Sequence, residues 1–421
     1  MDIARAGGPL LVVVCGLLAG CPQEDAAKSA DASSSSRPAS TSTSASSAKP
    51  YLGMMSIGGT IGVTLDAPDP GRITLAFQDS PFGLHGSLVG NYVPDEDRYV
   101  VTSLAANAAD PPPAHLLSRL GELQMSFYLE DERLDGDIAH LPSSPLPGAP
   151  PLAGLIHATS RRTLPALASI AGEYAFMVTG ALHVEGSPFP VHGSNSATAG
   201  YARITPDGTL HVCLNQDGEA GCTGAASDAS APVARLEVAD QTRYPGVFEV
   251  RAEGELAGRM FASRAGDAWT LAIDQQQSLG DKLELAAWVL HSRKPLKEDV
   301  LSGNWSCRQP AVNFPLLTTT ALAGGMDSHT LWIDGDTIAG GRVPGAGSNL
   351  SLNAAFGVFS ETRPASVNGL AHVQWFDPPM RADGERIREQ VLMPISGRHM
   401  VYLSEMRKDL DSVVWGACLR V

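Results

Sequence analysis

The sequence lacks an excess of positive charge. It contains 30 Lys and Arg residues against 45 Asp and Glu residues, which gives a formal net charge of −15 at pH 7. A protein that binds nucleic acid or anionic lipid headgroups usually presents clustered basic side chains to their phosphates. The charge balance therefore argues against both classes of partner.

Reaction-specific motifs are also missing. The sequence has no Gly-x-Ser-x-Gly elbow, no phosphate-binding glycine loop and no His-Glu-x-x-His pair. Ser46 and Lys49 fit a Ser-x-x-Lys pattern, but they lie in a polar stretch that could hold no oxyanion hole. We therefore predict no catalytic residue and no cofactor, and the sequence favours a protein that is not an enzyme.

The acidic segment 130–137 does not fit a calcium loop. An EF-hand loop that starts at Asp131 would need an oxygen ligand at Arg133 and a glutamate at Pro142. The expected structure of this segment is a solvated hairpin tip.

His183 and Glu185 would share one face of a predicted strand. This placement hints at a metal ligand pair or an acid–base pair, although a surface pairing is the more common structure. No metal site is predicted from the sequence.

No apolar run near the N-terminus is long enough to span a bilayer. The run from Leu10 to Gly20 has 11 residues, whereas a spanning helix needs about 20. It follows one basic residue, Arg5, and ends in small residues. This pattern predicts a secretory signal peptide over residues 1–20.

Leu18-Ala19-Gly20-Cys21 resembles the lipobox of bacterial lipoproteins. The resemblance implies that Cys21 becomes the mature N-terminus and carries acyl chains such as palmitate, which bind the membrane. Stable anchoring takes two or more such chains. Pro22 occupies the position where an aspartate would be associated with retention in the inner membrane, so we expect an outer-membrane lipoprotein on either the periplasmic or the surface face.

Residues 21–50 are expected to form a lipidated, disordered tether. Ten Ser, two Thr and seven Ala occur in residues 22–50, with no Leu, Ile, Val or aromatic residue. Such a composition buries too little apolar surface to offset the entropy cost of ordering the chain.

Four of the six cysteines remain after the signal peptide and the lipobox are set aside. Cys213 and Cys222 are symmetric about Asp217-Gly218, a favoured two-residue hairpin turn, which predicts a cross-strand disulfide. Cys307 then pairs with Cys418 across the last domain, which stabilises the fold by about 4 to 5 kcal/mol in the chain-entropy model. Free buried thiols are the alternative.

The composition favours a mainly β fold. Charged residues make up 18% of the chain, with 43 Gly and 30 Pro, which is typical of many short strands and turns. We predict antiparallel sheets that form two related β-barrel or sandwich-like domains after a smaller β-rich N-terminal domain. The predicted segments are the N-terminal domain 51–141, a Pro-rich connector 142–165, a domain with the hairpin disulfide 166–292, and a domain with the end-to-end disulfide 299–421.

The two C-terminal domains share short matches in the same order. Ile170–Tyr174 resembles Leu301–Trp305, and 246–248 resembles 357–359 with Gly-Val-Phe in both. Each domain also ends on a strand that contains a tryptophan. A duplication explains this order, but composition alone produces some matches, and both explanations stay open.

Gly303-Asn304-Trp305 resembles the Gly-x-Trp motif in the first strand of lipocalins, where a disulfide also ties the barrel to the C-terminal region. The anchored tether followed by paired β domains is similar to surface lipoproteins that capture host proteins, such as the transferrin-binding group. Both resemblances imply binding without catalysis.

The six tryptophans all lie in the second half of the chain. Exposed aromatic residues could bind sugars or peptides, but core packing is the expected role.

These observations lead to one functional hypothesis and two alternatives. The hypothesis is a lipid-anchored envelope lipoprotein with a non-enzymatic binding or envelope-associated role, whose ligand is an unidentified protein or small molecule. The alternatives are a hydrolase or other enzyme whose residues converge only in the fold, and an accessory subunit of an outer-membrane assembly.

Overall fold

The structure is a computed structural model of the chain. It describes residues 48–66, 71–142, 144, 149–185, 187, 189–191, 194–213, 230–312, 322–341, 347–355, 365–376, 386–406 and 409–421. The predicted signal peptide, Cys21 and most of the predicted tether lie outside the described residues.

Barrel 1 is a closed, antiparallel, eight-stranded barrel in which each strand pairs with the next and the first pairs with the last. Its strands alternate as the sequence predicts: Ile73, Leu75 and Phe77 are buried, whereas the residues between them are half-buried. The strands are β1 Lys49–Met55, β2 Thr60–Asp66, β3 Gly71–Gln78, β4 Gly86–Asp95, β5 Arg98–Ala106, β6 Gln124–Glu130, β7 Arg133–Leu141 and β8 Leu152–Thr159.

Barrel 2 repeats this topology with eight further strands, the first of which pairs with both the second and the last. The strands are β9 Gly172–Val184, β10 Ser196–Ile204, β11 Thr209–Cys213, β12 Ser230–Val238, β13 Val247–Ala252, β14 Glu255–Ala265, β15 Ala268–Leu279 and β16 Lys282–Ser292.

Barrel 3 is nearly closed. Its first strand pairs with its last, and the Ser348 hydroxyl of one edge strand donates a hydrogen bond to the Ile338 carbonyl of the other. The strands are β17 Gly303–Val312, β18 Leu322–Asp334, β19 Thr337–Gly340, β20 Gly347–Ala355, β21 Ala365–Phe376, β22 Arg386–Pro394, β23 His399–Met406 and β24 Asp409–Arg420.

The described helices are all short. They are α1 Ala114–Leu117, a 3-10 helix Leu120–Glu122, and α2 Leu167–Ile170. None of the helices in the described part of the chain has the length and apolarity of a membrane span.

The mainly β, antiparallel prediction is confirmed, but the structure contains three eight-stranded sheets where the sequence analysis expected two barrels and a smaller domain. The predicted connector 142–165 contains β8, which closes barrel 1. All eight residues of β8 are buried. With both faces covered, the strand shows no polar alternation, and this is why the sequence did not predict it.

Each barrel has its own interior cluster of apolar side chains, and a fourth cluster lies between the barrels. This shared core is built from outward-facing residues of all three barrels. Its members include Met54 and Leu155 of barrel 1, Met177 and Val289 of barrel 2, and Leu403 and Trp415 of barrel 3. The barrels are therefore packed into one compact unit over residues 48–421.

Barrels 2 and 3 begin with the same local structure. The Tyr174 hydroxyl donates to the Ile170 carbonyl at 2.5 Å, and Trp305 Nε1 donates to the Leu301 carbonyl at 2.7 Å. Gly172 and Gly303, two residues before each aromatic residue, have φ values of 154° and 140°, which favour glycine. The predicted correspondence of these segments therefore has a structural counterpart, whereas segment 357–359 lies outside the described residues.

Candidate functional site at the barrel junction

The outward face of β7 carries charges that are buried. Leu134 and Ile138 point into barrel 1, so Arg133, Asp135 and Asp137 point outward by strand alternation. These three residues are only 2%, 5% and 4% exposed, because barrels 2 and 3 cover this face. The strand therefore places ionic groups at the junction of the three barrels.

Asp135 lies at the centre of this junction. Its carboxylate accepts a hydrogen bond from the Tyr128 hydroxyl at 3.0 Å, and it lies 2.7 Å from His157 Nδ1 and 3.5 Å from Arg133 Nε. Burial alone would raise the pKa of Asp135, but His399, Arg133 and His157 outweigh it and hold that pKa well below its ordinary value. The carboxylate is thus ionised and is stabilised by its neighbours.

Each barrel contributes one histidine to the junction: His157 from β8, His291 from β16 and His399 from β23. His399 Nδ1 lies 3.7 Å from Asp135 Oδ2, and His291 Nδ1 lies 2.9 Å from the Thr270 hydroxyl oxygen. Burial, reinforced by the nearby Arg133 guanidinium, lowers the pKa of both His291 and His399 to about 3. These two imidazoles are therefore neutral at pH 7, and Arg133 supplies the positive charge beside Asp135 at that pH.

Further polar contacts join barrel 1 to barrel 3. Arg308 of β17 approaches both carboxylate oxygens of Asp137, at 2.9 and 3.0 Å, and the Ser126 hydroxyl donates to Asp137 at 2.7 Å. The Ser396 hydroxyl donates to Glu130 at 2.8 Å. Bidentate arginine–carboxylate contacts fix orientation as well as distance.

A second polar cluster joins barrel 1 to barrel 2. Asp274 of β15 is 1% exposed and accepts hydrogen bonds from the Gly59 amide at 3.1 Å, the Thr60 hydroxyl at 3.3 Å and the Gln276 amide at 2.9 Å. Burial raises the pKa of Asp274 to about 6, although these hydrogen bonds act against the shift. Nearby, Asp79 pairs with Arg243 and Arg259 of barrel 2.

The cavities beside Asp135 and His157 are too small for a substrate. One, which also borders Arg308, has a volume of about 30 Å³, and the other, which borders Ser263, has about 20 Å³. Such volumes hold about one water molecule each. Within the described ranges no group of three or more His, Cys, Asp and Glu side chains could hold a metal ion. The chemistry this arrangement supports is adhesion between barrels.

The predicted site residues have mixed outcomes. Cys307 and Cys418 form a disulfide between β17 and β24, as predicted, and both lie with Trp305 in the interior cluster of barrel 3. Cys213 ends β11, whereas Cys222 lies outside the described residues, so their pairing stays a prediction, as does lipidation of Cys21.

His183 and Glu185 are not brought together. His183 is buried with its Nδ1 3.3 Å from the Ser187 carbonyl and its ring centroid 6.0 Å from that of Phe82. Glu185 is exposed. The hinted acid–base pair is therefore not formed.

The interpretation of segment 130–137 as a solvated hairpin tip is correct for the β6–β7 turn, where Asp131 is exposed, and wrong for Asp135 and Asp137, which are buried. The sequence of a single strand does not show whether residues far along the chain cover its outer face. The available signal was the alternation of opposite charges at Arg133 and Asp135, which suits a buried ion pair as well as a solvated one.

The expected core packing of the tryptophans is confirmed for four of them. Trp332 is 45% exposed and Trp288 is half-buried. The buried four are Trp269, Trp305, Trp375 and Trp415.

No protein-family model matches this chain, and no match is found among curated proteins.

Proposed function

We propose that this chain is a lipid-anchored lipoprotein of the bacterial outer membrane, with a non-enzymatic binding or envelope-associated role. The anchor is Cys21, in the segment that resembles a lipobox, and the three barrels carry the binding or envelope-associated role. Its partners are the membrane, through the lipid, and an unidentified protein or small molecule.

The observation that carries the non-enzymatic role is the state of the titratable groups at the junction. Asp135 and Asp137 bind cationic and hydroxyl groups of the same junction, and the adjoining cavities hold about one water molecule each. Groups engaged in this way stabilise the contact between barrels and are not accessible to a substrate.

Metabolic labelling with alkynyl palmitate tests the anchor. We expect label on the wild-type protein and none on Cys21→Ser. Cys15→Ser is the matched control, because Cys15 lies in the predicted signal peptide, and it should leave the label unchanged. Labelled Cys21→Ser protein would contradict the proposal.

Protease treatment of intact and gently permeabilised cells separates the two possible faces of the membrane. Degradation in intact cells would favour capture of an external ligand. Degradation only after permeabilisation would favour a role in envelope assembly or maintenance. Blotting for the intact chain gives the readout.

A further inference from the structure

The inner face of barrel 2 is partly exposed at the end where β9, β15 and β16 meet, beside the β15–β16 turn. Phe176, Ile273 and Leu290 belong to its buried interior cluster, and strand alternation places every second residue beyond them inside the barrel as well. The inward-facing residues nearer the turn are half-buried or exposed. Among the described residues, these inward-facing side chains line a cup at this end of barrel 2. Its lining includes Leu182, Val184, Gln275, Leu279, Glu284 and Trp288.

Apolar side chains stand beside charged ones on the rim of the cup. Leu279 is paired with Lys282, and Lys282 with Val184, so the three side chains stand in one row across three strands. Val184 and Leu279 are 51% and 45% exposed. Phe189, 43% exposed, lies beside Val184 because the neighbouring pair His183 and Pro190 forms a bridge. Contiguous exposed apolar side chains are one mark of a ligand-binding site.

Deeper in the cup, the polar side chains of Gln275 and Glu284 lie beside the indole of Trp288. Trp288 Nε1 donates to Gln275 Oε1 at 2.8 Å, and Gln275 Nε2 donates to Glu284 Oε2 at 3.1 Å. Burial raises the pKa of Glu284, and this hydrogen bond only partly offsets the shift. Lys282 lies two residues nearer the rim, about 7 Å along the strand. Among the described residues Glu284 forms no ion pair, so its carboxylate is available to a cation.

We propose that this cup binds small amphiphilic amines, with the ammonium group at Glu284 and the apolar body against Trp288, Val184 and Leu279. An ammonium beside Glu284 would replace the water that the carboxylate loses on burial, and it would also interact with the indole face. The exposed acidic side chains of Glu185 and Asp281 at the rim favour the approach of cations. This inference deepens the proposed binding role and rests on it.

Isothermal titration with three octyl compounds tests the ligand class. The protein is the full chain carrying Cys21→Ser, so that no acyl chain competes for the cup, and the probes are octylamine, 1-octanol and sodium octanoate. All three have the same apolar body. We expect octylamine to bind about tenfold more tightly than octanol, because a charge-assisted hydrogen bond is added, and octanoate to bind most weakly. Equal affinities, or no binding of octylamine, would overturn the proposal.

Two substitutions with the same change in net charge locate the site. Glu284→Gln should lower the affinity for octylamine to that for octanol and leave octanol binding unchanged, whereas Glu185→Gln at the exposed rim should keep the preference. Loss of the preference in both variants would show unspecific attraction and would also overturn the proposal. Leu279→Ser should weaken both ligands. None of these results affects acyl labelling at Cys21, so the proposed anchor and the proposed ligand can fail separately.

Discussion

Arg133 and Asp135 are buried at a depth where a lone charge would cost several kcal/mol. Each compensates the other, and Glu130 and Tyr128 add further contacts to the same pair. The network stabilises the junction only while all its members are present. Removal of one member leaves the rest as uncompensated buried groups.

Asp135→Asn should therefore destabilise the protein by about 3 to 5 kcal/mol, because it leaves the Arg133 guanidinium without its main counter-charge. Urea unfolding followed by tryptophan fluorescence measures the change. Glu253→Gln, at an exposed turn, is the control and should change the free energy of unfolding by less than about 0.5 kcal/mol. A loss below about 1 kcal/mol in Asp135→Asn would show that the junction tolerates the loss of this carboxylate.

Strands that have one solvated face could be predicted from the sequence, and strands covered on both faces could not. The alternation in β3 gave its position and its buried face directly, whereas β8 offers no alternation because barrels 2 and 3 cover its outer side. The Cys307–Cys418 pairing was predictable, since closure of a barrel brings its first and last strands together. The junction around β7 was not, because its partners in barrels 2 and 3 lie more than 130 residues further along the chain.

The disulfide between β17 and β24 should stabilise barrel 3 because it reduces the number of conformations that the unfolded chain can adopt. We expect Cys307→Ser/Cys418→Ser to lose about 2 to 4 kcal/mol of unfolding free energy, somewhat less than the chain-entropy value for its separation of 111 residues. Urea unfolding under oxidising conditions measures this loss. In reducing buffer the variant and the wild type should unfold at similar midpoints, and a persistent difference there would point to packing damage.

At the scale of the whole molecule, the three barrels depend on one another. The shared apolar core and the junction are both made of outward-facing side chains from all three barrels. A barrel separated from the other two would expose an apolar face and several buried charges at once. We therefore expect the described body to unfold in a single cooperative transition.

Acidification should weaken this body. The pKa values of His291 and His399 are lowered from 6.5 to about 3. At pH values between these two, the unfolded chain binds protons that the folded chain does not, and this favours unfolding. The loss amounts to about 2 kcal/mol per histidine at pH 5. The pKa of Asp274 is raised from 3.8 to about 6, which acts in the opposite direction. Protonation of Asp274 stabilises the folded state by about 1 kcal/mol at pH 5. Stability should thus fall by about 3 kcal/mol between pH 7 and pH 5.

Urea unfolding across this pH range gives the measurement, and two histidine variants identify the source. His399→Leu should reduce the loss between pH 7 and pH 5 by about two thirds, from about 3 to about 1 kcal/mol. His85→Gln, at an exposed position, should leave the slope unchanged. A slope that both variants leave intact would place the acid sensitivity outside the junction.

The order of synthesis gives the charged face of β7 a second role. Glu130 and its partner Ser396 are separated by 266 residues, and at typical elongation rates that distance takes roughly 15 to 50 s to translate. During this interval the β7 segment is present without the residues that later cover it. An apolar outer face on β7 would promote aggregation during this interval. The charged side chains of Arg133, Asp135 and Asp137 can instead remain hydrated until the last barrel is complete.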